Sequence, residues 1–167
     1  MNIKQQGVGL VEVLVSLVLL AIGVLGFIVL QLKAIDASAE ASQQVLALTI
    51  ARDLAERMRA NPQAVLAGEY NKGLIPVPDS SENSVIKDQP KDIAEQDLKS
   101  MALQASENGM RLSITDCLAN NTRQCIYVAW NNTTFLNENK PEDIVKNCIN
   151  TDGHYVDGSH CLYLEAY

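Results

Sequence analysis

The sequence predicts an α+β protein in which one long N-terminal α-helix packs on a small antiparallel β-sheet head. Three observations carry that expectation. An almost unbroken apolar run near the N-terminus passes directly into an amphipathic helical repeat, with no proline before Pro62. Strand-like alternation is confined to the last third of the chain. All four cysteines, Cys117, Cys125, Cys148 and Cys161, lie in that same third.

The apolar run is Val8–Leu30, where 18 of 23 residues are aliphatic or aromatic and only Glu12, Ser16 and three glycines interrupt. Without it, the remainder is about 42% hydrophobic instead of 47%, an ordinary soluble composition. A single membrane-type segment attached to one modest domain fits these figures. A multispan membrane protein, a disordered chain and a low-complexity fibre do not. The net charge is −7. Met1–Gly7 carries its one cation at Lys4, while Asn61–Tyr167 holds eight basic and fifteen acidic residues with no run of Lys or Arg. Nucleic-acid binding needs clustered positive charge, so no nucleic-acid partner is expected.

Three identities compete for Val8–Leu30 from its residues alone. A secretory signal has an apolar core of roughly 7–15 residues, shorter than this one, although Ala37-Ser38-Ala39 would pass as its cleavage site. A plain anchor needs about 20 apolar residues, which are present. Neither accounts for Glu12. A carboxylate within hydrocarbon costs roughly 2.5–3.5 kcal/mol on insertion scales and normally has a partner, yet nothing basic lies near it in the segment.

Beyond the run, Leu46, Ile50, Leu54 and Met58 recur every fourth residue with Ala47, Ala51 and Ala55 beside them, one apolar stripe at helical spacing. Asp53 and Arg57 form an i,i+4 pair expected on the exposed side. Asn61-Pro62 ends the pattern, because the residue before proline is pushed out of helical geometry. The helix is therefore expected over residues 8–60, about 80 Å at roughly 1.5 Å per residue, with 8–30 as its membrane or filament-core part.

Lys4-Gln5-Gln6-Gly7 followed by Val8-Gly9-Leu10-Val11-Glu12-Val13-Leu14-Val15 resembles the class III prepilin signal. That signal is a short basic leader ending in glycine, then an apolar helix whose fifth residue is glutamate. Ala21-Ile22-Gly23-Val24-Leu25-Gly26 and Leu54-Ala55-Glu56-Arg57-Met58-Arg59-Ala60-Asn61 are similar to the minor pilins of the PilV type, the type IV pilus modification proteins. The resemblance implies a pilin-like fold and a leader over residues 1–7. It also implies cleavage between Gly7 and Val8 by a prepilin peptidase, with N-methylation of Val8. It implies that Glu12 neutralises the terminal amine of a neighbouring subunit during assembly. Val8 and Gly9 stand where such signals commonly have Phe and Thr, and Val29 stands where many major pilins have a proline.

Residues 61–167 form the expected periplasmic head. Four of the five prolines fall between Pro62 and Pro90, with Gly68, Gly73 and Ser80-Ser81, so 61–90 reads as an extended loop. Pro90 suits a helix start, and Ala94, Leu98, Met101, Ala102 and Ala105 give a short amphipathic helix ended by Asn108-Gly109. Strands are expected around Leu112 and Ile114, around Ile126, Val128 and Trp130, and around Leu162 and Leu164. Turns are expected at Asn131-Asn132 and Asp157-Gly158. Trp130 reads as core.

Export to an oxidising compartment would pair the cysteines. Of three connectivities, the local pairs Cys117–Cys125 and Cys148–Cys161 are favoured, because short turn-rich loops lie between them. A zinc site of His154, His160, Cys148 and Cys161 lacks close ligand spacing. His154 and His160 read as solvated loop residues, and the N-x-[ST] matches at Asn120, Asn131 and Asn132 as chance. No phosphate loop, nucleophile elbow or H-E-x-x-H is present. The chain is expected to be no enzyme and to need no metal or cofactor.

The expected function is that of a minor pilin in the bacterial inner membrane and the type IV pilus. Its expected partners are prepilin peptidase, other minor pilins and the major pilin. A minor pseudopilin of type II secretion is the alternative, followed by a periplasmic enzyme or binding domain on an ordinary anchor.

Overall fold

The computed structural model describes residues 9–78, 89–118, 120–138 and 140–166. They divide into two compact units, Met1–Ser42 and Gln43–Tyr167. Helix α1 (Leu10–Ala60) contributes to both. Within the first unit its side chains from Leu10 to Ala39 are all exposed.

The second unit is an antiparallel sheet with both faces covered. The distal part of α1 is followed by α2 (Pro62–Leu66), β1 (Gly73–Leu74), α3 (Pro90–Glu107), β2 (Arg111–Cys117), β3 (Asn120–Ala129), α4 (Pro141–Ile144) and β4 (Cys161–Glu165). The strands lie in the order β1-β2-β3-β4, every neighbour antiparallel. Residue alternation sorts the side chains into two cores, because successive strand residues point to opposite faces. Leu112, Ile114, Ile126 and Val128 meet Ile50, Leu54 and Met58 of α1 and Leu98, Met101 and Ala105 of α3. Trp130 joins this core, 3% exposed. On the other face Tyr127 and Ala129 pack with Phe135, Ile144, Val145 and Ile149.

The expected sheet on the amphipathic half of α1 is thus present, with three differences. Residues 61–90 are not a plain loop. Pro62, which ends α1, also opens α2 at a position needing no N–H, and Gly73–Leu74 pairs with Ile114 and Ser113 as an edge strand. Two-residue strands and five-residue helices are too short for periodicity to register. Ser80-Ser81 lies outside the described residues. The second core was also not anticipated: the segment after Trp130 is held by burial as well as by its cysteines. Finally, the Asp53–Arg57 pair is not simply exposed. Arg57 Nε donates to Asp53 Oδ1 at 3.2 Å while its NH1 donates to Asp97 Oδ1 at 3.1 Å.

Asp97 is the hub of a buried polar network, also accepting a 2.7 Å bond from Tyr70 Oη. Nearby, Asn61 Nδ2 donates to the Pro90 carbonyl at 2.7 Å. These bonds join the end of α1, the 61–75 segment and α3. Such a network holds one arrangement because its buried members, Asp97 and Tyr70, would each cost about 1–3 kcal/mol if left unpaired.

The disulfides join Cys117 to Cys125, across β2 and β3 where their register shifts, and Cys148 to Cys161, fastening the loop to β4. α3 ends in a Schellman turn. Gly109 takes φ +70°, its N–H donates to Ser106, and Met110 N–H donates to Ala105 at 2.8 Å. Gly73 is more constrained: at φ +67°, an added Cβ would lie 3.0 Å from Ile144 Cδ1.

Gly73→Ala is expected to cost about 2 kcal/mol, combining left-handed strain with that contact, against about 1 kcal/mol for Gly109→Ala, where the space is open. Urea unfolding of the full chain in detergent measures both. Burial, then the bond to Asp97, raises the Tyr70 hydroxyl above its ordinary value, and burial raises Tyr127 and Tyr155 as well. Below about pH 10 these hydroxyls are protonated in both folded and unfolded chains, and their full contribution is present. Above it only the unfolded chain ionises them, so stability falls as pH rises toward the folded-state values. Tyr70→Phe is therefore expected to make the unfolding midpoint fall less steeply between about pH 9 and about pH 11.

Candidate assembly interface

The first unit is a helix with nothing of its own to bury. Its large apolar side chains from Leu10 to Leu30 are between 43% (Ile28) and 77% (Leu10) exposed. The stretch is long and apolar enough to cross a membrane. In such a helix the backbone hydrogen bonds are internal, which suits hydrocarbon.

The helix opens at Gly9, whose carbonyl accepts from Glu12 N–H at 2.9 Å and Val13 N–H at 3.3 Å. Glu12 therefore sits in the first turn, where the helix dipole favours negative charge. Ser16 Oγ donates to the Glu12 carbonyl at 2.7 Å, so that hydroxyl is satisfied without water. The Glu12 carboxylate itself has no cationic partner among the described residues. Lys33, the cation of the described part of this unit, is 21 residues farther along the helix.

Helical arithmetic adds a feature that the linear sequence hides. At about 100° per residue, Gly9, Glu12, Ser16, Gly23 and Gly26 all fall within an arc of about 100°. Every interruption of the apolar run thus lies on one face, with Leu19 and Leu30 between them. A Cβ added at Gly9, Gly23 or Gly26 would meet nothing within 4 Å, so the isolated chain has no packing need for these glycines. Small residues on one face of a lipid-facing helix let another backbone approach closely.

Of the expected site residues, Gly7 and Val8 lie outside the described residues. Glu12 is placed on the small-residue face. The four cysteines are in the second unit, bonded in pairs. Bonded to each other, Cys148 and Cys161 are not available as thiolate ligands, and His154 is exposed in the loop between them. Among the described residues no group of His, Cys, Asp and Glu is arranged to hold a metal. Sequence reading missed the Arg57–Asp97–Tyr70 network, whose members are 40 and 27 residues apart and share no local signal. It also missed the common face of Glu12 and the glycines, which the residue spacing does contain.

Comparison with known families agrees with this geometry. Residues 2–28 match the prokaryotic N-terminal methylation motif, the processing signal of prepilins. Residues 29–84 match a family of type IV pilins, described as type IV pilin Tt1218. Over residues 2–84 the chain is thus similar to proteins that carry the prokaryotic methylation motif and to the Tt1218-like type IV pilins. Comparison with curated proteins and with solved structures finds no match.

Gly23→Leu is expected to leave the urea midpoint of the second unit unchanged within about 0.5 kcal/mol while weakening helix association in lipid at least about fivefold. Energy transfer between labelled full-length chains in liposomes reads the second effect.

Proposed function

We propose that the chain is a minor pilin of the PilV type. Met1–Gly7 is the leader, removed after Gly7 by prepilin peptidase, and Val8 becomes the N-methylated terminus. Residues 8–30 cross the bacterial inner membrane once, with residues 61–167 in the periplasm, until the subunit enters a type IV pilus beside other minor pilins and the major pilin. The chain performs no catalysis. Its work is assembly.

One observation carries this reading: a carboxylate with no cationic partner among the described residues, on the small-residue face of an exposed apolar helix, five residues after Gly7. An anchor needs neither the acid nor the face. A subunit that leaves lipid for a bundle of like helices needs both. Transfer between two apolar surroundings brings little hydrophobic gain, so close packing and polar pairing decide the outcome. Cleavage after Gly7 creates an ammonium at Val8, which N-methylation leaves charged. A neighbour's ammonium beside Glu12 converts a costly buried charge into a pair.

Mass spectrometry of the mature protein is expected to find an N-methylated Val8 start. A chain beginning at Glu40, or an intact Met1, would overturn the reading. Glu12→Ala is expected to leave cleavage intact and to lower the amount recovered with sheared pili about tenfold, as loss of a buried charge pair implies. Immunoblots of pilus and membrane fractions measure it, and equal recovery would sink the charge-pair mechanism.

A further inference from the structure

The sheet has two edges, and they are not equivalent. β1 closes one side with two residues. β4 forms the other with five, Cys-Leu-Tyr-Leu-Glu, containing neither the proline nor the lysine that usually guards an edge. In an antiparallel ladder the backbone groups of successive residues turn alternately toward and away from the neighbouring strand. Trp130 N–H donates to the His160 carbonyl at 2.9 Å, and Ala166 N–H to the Gln124 carbonyl at 2.9 Å. The even-numbered residues of this stretch therefore address β3, and Cys161, Tyr163 and Glu165 turn their N–H and C=O groups outward.

Among the described residues, one group occupies that outward row. Tyr155 Oη accepts from Tyr163 N–H at a long 3.4 Å, its half-exposed ring packed 5.6 Å from that of Tyr163. The strand offers apolar contact on both faces, with Leu162 and Leu164 on one and Tyr163 on the other, all partly exposed. A cleft of about 310 Å³ opens beside its first residues, lined by Gln44, Trp130, Tyr155, Ser159, Cys161 and Leu162.

We propose that the β4 edge is a docking site for an extended segment of a different protein, which adds a fifth strand and seats one apolar side chain in the cleft. The outward N–H and C=O row calls for peptide backbone, and the partly exposed leucines call for apolar residues at alternate positions. Charge selects against a second copy. With eight basic and fifteen acidic residues in Asn61–Tyr167, two such heads repel, whereas a segment bearing Lys or Arg is attracted. Tyr155 is the placeholder: its hydroxyl occupies the central amide of the row until a partner carbonyl displaces it. The inference stands apart from Glu12 and from processing at Gly7.

The test uses the full-length protein in detergent micelles. The probes are a library of decapeptides alternating Val or Phe with Thr or Lys, scrambled controls of the same composition, and acidic versions with Glu for Lys. Residue-resolved amide exchange is expected to slow about tenfold or more at Tyr163 and Glu165 with alternating basic peptides, and to stay unchanged at Leu162 and Leu164. Tyr155→Phe, which frees the Tyr163 amide, is expected to tighten peptide binding about threefold. Glu165→Pro removes an outward N–H without breaking a ladder bond and is expected to abolish binding. No protection by any peptide, or binding indifferent to these substitutions, overturns the proposal. Protection that grows with protein concentration alone overturns the choice of partner. If Glu165→Pro fails to fold, Tyr155→Phe decides.

Discussion

An apolar helix with no core of its own unit to enter constrains everything else in this protein. From Leu10 to Leu30 every large side chain is exposed, and the remaining 125 residues of the second unit form their cores without them. Such a surface is stable only in lipid or against other helices. The one charge on it, Glu12, sharpens the constraint, because lipid can hold the helix but offers that carboxylate no partner.

The second unit is built to be self-sufficient under that constraint. Its share of α1 is amphipathic, so a single helix supplies both an uncovered apolar surface and the floor of a soluble core. Ile50, Leu54 and Met58 are fully buried there, with Ala47, Ala51 and Ala55 keeping the helix close to its neighbours. The small sheet cannot bury enough with one face, and the segment between Trp130 and Cys161 covers the other. Two disulfides restrict that segment and the β2–β3 connection in the unfolded chain, and the Arg57–Asp97–Tyr70 network fixes how α3 meets the end of α1.

Much of this was legible in the residues because it rests on local regularities. The four-residue stripe from Leu46 to Met58, the break at Asn61-Pro62, the start of α3 at Pro90 and its end at Asn108-Gly109 each follow from backbone chemistry within a turn or two. The alternation around Ile114, Val128 and Leu162 did the same for three strands. What escaped depends on meetings between distant residues. β1 is only two residues long and exists because β2 lies beside it. Tyr70 and Arg57 carry no local signal in the sequence, yet beside Asp97 from α3 Tyr70 is fully buried and Arg57 partly so. The second core was hidden for a related reason. Phe135, Val145 and Ile149 are spaced without a period, so nothing marked them as facing one sheet. In the candidate interface Glu12 was conspicuous as an acid among aliphatics, while the glycines were read as possible bends until their angular positions placed them beside it.

That shared face bears on how assembly could be specific at all. Eighteen aliphatic and aromatic residues distributed around a helix give adhesion in any rotation, since lipid tails and leucines are equivalent neighbours. Specificity needs a feature that distinguishes one rotation and one axial position from the rest. Gly9, Ser16, Gly23 and Gly26 allow close backbone approach on one side only, which selects the rotation. Glu12 lies on that same side at a single height, and in the proposed assembly its charge would be satisfied only where a counter-charge sits, which would select the axial position. Were the acid on the opposite face, close packing and charge pairing would favour different orientations and each would weaken the other. With both within one arc of about 100°, the two selections would agree in the proposed assembly, five polar or small residues setting a geometry that the apolar majority would merely tolerate.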